Sequence, residues 1–119
     1  MKIAIPVDSN IDEVKVNDSF GRAPYYLIHD TETKEDLFVF NTAARSAGGA
    51  GIRAAQLVVD QKPDVFLAPR MGQNAADVIK TAHIDIYKTE GSSVKQNIER
   101  YLAGELSPLD DIHAGRHGH

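Results

Sequence analysis

Up to residue 41 the chain carries short, β-rich apolar runs, and helix-spaced apolar positions enter only after residue 51. Residues 2–7 (KIAIPV) read as a first strand, broken by Asp8-Ser9-Asn10. A loop over 8–22 carries Ser19-Phe20-Gly21-Arg22. Strands at 25–29 and 37–41 flank a polar turn at 31–36, a connection short enough for an antiparallel hairpin. Residues 42–51 (TAARSAGGAG) form a flexible loop ending in glycines. From 52 to 61, Ile52, Ala55 and Val59, widened by Leu57 and Val58, fit one helical face, and Lys62-Pro63 stops it. Residues 64–68 (DVFLA) are a continuous apolar strand, the pattern of a sheet covered on both faces. A turn at 69–73, a helix at 74–83 and a short strand at 84–87 follow. Ser93 with Gln96 is a capping box opening the last helix. Val94, Ile98, Tyr101 and Leu102 share its face, and Gly104 ends it. The expected division is an α/β domain over 1–106 and a mobile His/Gly-rich tail over 107–119.

The order βββαβαβα predicts a three-layer α/β fold around a five-stranded, mostly parallel mixed sheet with one antiparallel strand. With the first strand taken as up, the loops 8–22, 42–51, 69–73 and 88–93 all leave the same carboxyl edge, where open α/β sheets place ligands. These loops hold Gly21, Gly48, Gly49, Gly51, Gly72 and Gly91 together with Arg22, Arg45 and Arg70, and Arg53 starts the first helix. Glycine lets backbone approach a ligand, helix N-termini offer free N–H groups, and arginine adds forked, permanently charged donors. The chemistry points to a small anion. GGAG is neither a P-loop nor a dinucleotide fingerprint, because GK[ST] and the three-glycine spacing are missing.

Composition narrows the ligand. The 119 residues are 42% hydrophobic and 25% charged, ordinary for one globular domain. There is no cysteine, which removes disulfides, thiol nucleophiles and every Cys-ligated zinc or iron–sulfur site. The net charge of −4 and the lack of a basic stripe argue against nucleic acid as a partner. No apolar run is long enough to span a membrane, and MKIAIPVDSN has no signal-peptide pattern, so a cytoplasmic location is expected.

Other polar residues have simpler readings beside them. His113, His117 and His119 in the tail could wrap one divalent ion, or be solvated. Met71 could offer its thioether to a soft metal or sulfide, or pack. His29 and His83 read as structural. Asp8 ends the first strand, whereas Asp64 starts a strand at the opposite edge, so the two do not form the shared-metal carboxylate pair that a nuclease requires.

The segments SFGRAPYY (19–26), GGAGIRAAQ (48–56), MGQNAADV (71–78) and EGSSVKQNIERYLAGEL (90–106) resemble the dinitrogenase iron–molybdenum cofactor biosynthesis family, over about residues 1–104. The resemblance implies a ribonuclease-H-like fold and small accessory proteins that bind or carry metal–sulfur clusters without catalysis. It includes the orange-protein branch, in which a molybdenum–copper sulfide cluster is held noncovalently. Ser19 stands where many members have histidine, and Ala23 where some have cysteine. Both departures count against covalent ligation and leave noncovalent holding intact. The expected ligand is thus an anionic iron–molybdenum or molybdenum–copper sulfide cluster or its precursor. The expected contacts are Ser19, Arg22, Arg45, Gly48, Gly49, Ala50, Gly51, Arg70, Met71, Gly72 and Asn74, and a partner protein in cluster assembly or transfer is implied. Two other readings remain open: a metal-dependent phosphoester hydrolase using Asp8, and a regulatory module that docks on a protein.

Overall fold

The computed structural model describes residues 1–10, 14–45, 48–109 and the backbone of 112–113. In chain order the elements are β1 (Lys2–Val7), β2 (Tyr25–Asp30), β3 (Asp36–Phe40), α1 (Ala50–Asp60), β4 (Val65–Ala68), β5 (Met71–Gly72), α2 (Gln73–Thr81), β6 (Asp85–Lys88), α3 (Val94–Leu102) and β7 (Ile112–His113). A five-stranded mixed sheet runs β3-β2-β1-β4-β6. β2 is antiparallel to β1 and β3, whereas β4 is parallel to β1 and β6.

Alternation along the strands sorts the core into two layers. On one face Ala4, Tyr26, Ile28, Phe66, Ala68 and Ile86 pack against α1 and α2. On the other, Ile3, Ile5, Val7, Leu27, Val65 and Leu67 pack against Val94 and Ile98 of α3. The central strands β1 and β4 are buried on both faces, as their unbroken apolar sequences require.

Four expectations are corrected. α1 begins at Ala50 and buries Ala50, Ala54, Ala55 and Val58, leaving Ile52 43% exposed. The reason is its neighbour: α1 packs along α2, whose Ala75 and Ala76 face it in the same core, and small side chains permit that close approach. In α3 the buried polar residue Asn97 takes a core position, while Leu102 is 52% exposed. The chain after 106 is not free at its start. Lys88 N–H donates to the Ser107 carbonyl and Leu109 N–H to the Ile86 carbonyl, at 2.8 and 3.0 Å, and Leu109 is buried. This segment covers the outer edge of β6. Further on, β7 pairs in parallel with β5, opposing Gly72 to His113, where only a turn was expected at 69–73. Residues 110–111 and 114–119, including His117 and His119, lie outside the described residues.

Candidate anion-binding site

The loop from β1 to β2 is shaped by its one aromatic residue. Phe20 is buried against Tyr26 and Phe66, with ring centroids 5.5 and 5.1 Å apart. That anchor holds Ser19 and Gly21 over the α1/α2 face of the sheet. A second device ties this loop to the one after β3. Asn41, almost wholly buried, donates from Nδ2 to the carbonyls of Gly21 (3.0 Å) and Ala23 (2.8 Å) and to the Tyr26 hydroxyl (3.3 Å). Its Oδ1 accepts from Ala43 N–H at 3.0 Å. The Tyr26 hydroxyl in turn donates to the Phe20 carbonyl, and burial pushes the Tyr26 phenol well above its ordinary pKa. Arg22 Nη1 completes the tie by donating to the Ala44 carbonyl at 2.7 Å.

Gly21 then lies directly on the start of α1. A Cβ added there would sit 3.2 Å from both Cα and N of Gly51. A larger residue at Gly21 would have to move that backbone, which explains the glycine there, whereas a Cβ on Gly51 would meet only Ala75 Cβ at 3.8 Å. Gly49 takes the left-handed conformation (φ 70°) that turns the loop into the helix.

These contacts frame a cleft of about 540 Å³. One wall is Asp18, Ser19, Phe20 and Gly21; another is the start of α1, from Gly49 to Ile52; the third is Arg70, Met71 and Gly72 with the start of α2 at Asn74 and Ala75. Both helices that open onto it are capped by glycine, Gly49 and Gly72, with no side-chain cap bond and no acidic residue in the first turn. α3, by contrast, is closed by Ser93, whose Oγ accepts from Gln96 N–H at 3.1 Å. Among the described residues the first N–H groups of α1 and α2 therefore have no side-chain cap, and the positive ends of two helix dipoles lie at the cleft. Among the described residues Arg70 is the one basic side chain of the lining and Asp18 the one acidic side chain.

Of the residues expected to touch a ligand, Ser19, Gly49, Ala50, Gly51, Arg70, Met71, Gly72 and Asn74 line this cleft. Met71 does so with its side chain in the core, so its thioether packs. Ser19 Oγ accepts from Arg22 N–H at 3.2 Å, a turn contact. Arg22, Arg45, Gly48 and Arg53 stand outside the lining. The loop at 89–93 does not join either, because α3 lies on the other face of the sheet. Asn97 holds that loop separately, accepting from Glu90 N–H at 2.7 Å and donating to the Ser93 carbonyl at 2.8 Å.

The remaining polar candidates have structural partners. His29 Nδ1 meets Asp36 Oδ1 at 2.6 Å across the β2–β3 pair. His83 sits at φ 64° just past the end of α2, the helix-terminating conformation. Asp64 Oδ2 accepts from Lys2 N–H at 2.8 Å. Asp8 Oδ1 accepts from Lys15 N–H at 3.2 Å and is not in the cleft lining. Among the described residues no group of three His, Asp or Glu side chains could hold a metal ion. The donor set of the cleft, backbone N–H groups and one guanidinium, suits an anion.

Fold and cleft together define a small α/β protein with a glycine-lined cleft onto which two helix starts and one arginine open. Residues 1–104 match the family described as dinitrogenase iron-molybdenum cofactor, and the chain belongs to that family. The apo orange protein of Desulfovibrio gigas is similar in structure, with a TM-score of 0.86 and 28% identity over 92% of this chain and 93% of that one. A Thermotoga protein provisionally described as NifB gives a TM-score of 0.78 and 32% identity, covering 91% and 92% of the two chains. An uncharacterized protein of Methanocaldococcus jannaschii is 29% identical over 113 residues, 92% of each chain.

Proposed function

We propose that this protein binds or carries an anionic metal–sulfur cluster or its precursor, noncovalently, in the cleft between the starts of α1 and α2. One observation carries the reading: two helix N-termini without side-chain caps open onto the same glycine-lined cleft beside Arg70. Membership of the dinitrogenase iron-molybdenum cofactor family supports a ligand of this class. An iron–molybdenum or molybdenum–copper sulfide core bears its negative charge on outer sulfur atoms. Those atoms accept from the N–H groups of Ala50, Gly51 and Asn74 and from the Arg70 guanidinium. With no cysteine in the chain, the metals keep their own sulfide ligands and the protein supplies the second layer of contacts. The role is to hold and hand on, with no catalytic step, and a partner protein receives the cluster.

The test is titration of the purified chain with tetrathiomolybdate, then with copper(I), under anaerobic conditions. A charge-transfer band should appear at stoichiometric ligand, with a rise in Tm, because a ligand of the native state stabilises it by mass action. Arg70→Gln should weaken uptake. Absence of uptake by the unaltered chain, or unaltered uptake by Arg70→Gln, refutes the reading or its site respectively.

A further inference from the structure

The two edges of the main sheet are treated differently. The outer edge of β6 is covered by residues 107–109 of the same chain. The outer edge of β3 has no backbone partner among the described residues. Edges of this kind are usually blunted by lysine, proline or a bulge. Leu37-Phe38-Val39-Phe40 has none of these, and Leu37 and Phe40 are 54% and 61% exposed.

The register shows which backbone groups point outward. Asn41 N–H donates to the Pro24 carbonyl and Asp30 N–H to the Glu35 carbonyl. Hydrogen-bonded pairs alternate along an antiparallel ladder, so Glu35, Leu37, Val39 and Asn41 bond to β2. The N–H and C=O groups of Asp36, Phe38 and Phe40 therefore face away from the sheet.

We infer that β3 is a homodimer edge, on which a second copy of this chain adds its own β3 antiparallel about a two-fold axis at Phe38. The set Asp36, Phe38, Phe40 is self-complementary. Phe38 meets its own copy, and Asp36 meets the second copy's Phe40, each through a pair of backbone hydrogen bonds. On the helix α1 side, Leu37 comes opposite the second copy's Val39, which covers the exposed leucine. Charge agrees with this direction of pairing. The turn before β3 carries Asp30, Glu32, Glu35 and Asp36 against Lys34, while the far end of β3 carries Arg22 and Arg45. An antiparallel pair brings each acidic end to a basic one, and a parallel pair would set like ends together. None of the strand's residues lines the anion cleft, so the dimer is independent of the ligand.

The experiment is sedimentation of the full chain from about 1 μM to about 1 mM, the range of a modest interface. The mass of two chains is expected at the upper end, with dissociation on dilution and in high salt. Phe40→Pro removes an outward N–H and no intrachain bond, and Leu37→Lys places a charge in the new contact. Both should run as monomers while keeping the unaltered circular dichroism spectrum. Leu37→Lys alone decides the matter if the proline variant does not fold. A monomer throughout the range, or a dimer indifferent to Leu37→Lys, overturns the proposal; the first result would leave this edge to a different protein.

Discussion

The buried amide of Asn41 offers the sharpest test of how the cleft is held. Asn41→Ala removes the partner of two buried groups, the Ala23 carbonyl and the Ala43 amide, as well as one bond to Gly21. Each buried group left unpaired costs about 1–3 kcal/mol. A water entering the vacated space recovers part of this. The expected net loss is about 2–4 kcal/mol, or about 10 °C in Tm for a domain of this length. Asn41→Asp separates hydrogen bonding from packing. The shape is kept, and one oxygen still accepts from Ala43 N–H. The other is now a carboxylate oxygen set against the Gly21 and Ala23 carbonyls, and it cannot donate until it is protonated. Its folded pKa is therefore raised above the unfolded value of about 3.9. A group raised on folding stabilises fully below its unfolded pKa and loses that contribution as pH rises through the folded value. The deficit of Asn41→Asp relative to the unaltered chain should shrink on acidification from about pH 8 to about pH 5. Urea unfolding at the two pH values measures it. A constant deficit, or an Asn41→Ala loss below about 1 kcal/mol, would refute the idea that this amide joins the two loops.

Further outcomes follow from the same geometry. Gly21→Ala should reduce ligand uptake more than stability, because its Cβ, 3.2 Å from Gly51 backbone, pushes the two walls apart; tetrathiomolybdate affinity and Tm measured together check this. Ser93→Ala should cost about 1 kcal/mol of stability by uncapping α3 and leave ligand uptake unchanged, since Ser93 is not in the cleft lining. Asp30 accepts backbone N–H bonds from Glu32 and Thr33, which hold its carboxyl below the usual carboxylate range. Its contribution is therefore present above the ordinary pKa and lost as pH falls through the lowered one. Asp30→Ala should flatten the acid limb of the stability profile, and equal acid limbs would refute it. The buried Tyr26 phenol should stay un-ionised past the ordinary tyrosine pKa of about 10 and ionise only as the protein unfolds, which ultraviolet titration of the Tyr26→Phe variant against the unaltered chain resolves.

Much of the architecture was legible because local periodicity and burial agree. KIAIPV and DVFLA read as strands in the sequence and form β1 and β4, buried on both faces. The Ser93 cap, a purely local signal, sits where its spacing placed it. Glycines beside helix starts pointed to an anion edge, and Gly49, Gly51 and Gly72 meet in one cleft. What a sequence cannot express is which face each helix takes and what its neighbour demands. The alanine face of α1 was hidden by the more hydrophobic Ile52, since only packing against α2 selects small residues. Placement of α3 on the opposite layer took the 89–93 loop out of the site, although its chain direction suits it. Arg22 and Arg70 look equivalent in sequence, yet Arg22 braces the Ala44 carbonyl and Arg70 lines the cleft. Asn41 and Phe20 escaped the candidate set because each acts through contacts across 15 or more residues or through burial. Residue types and local spacing thus determined the elements and the chemistry of the edge. The tertiary structure alone decided which of those groups meet, because meeting depends on layer and register, and neither is a local property of the chain.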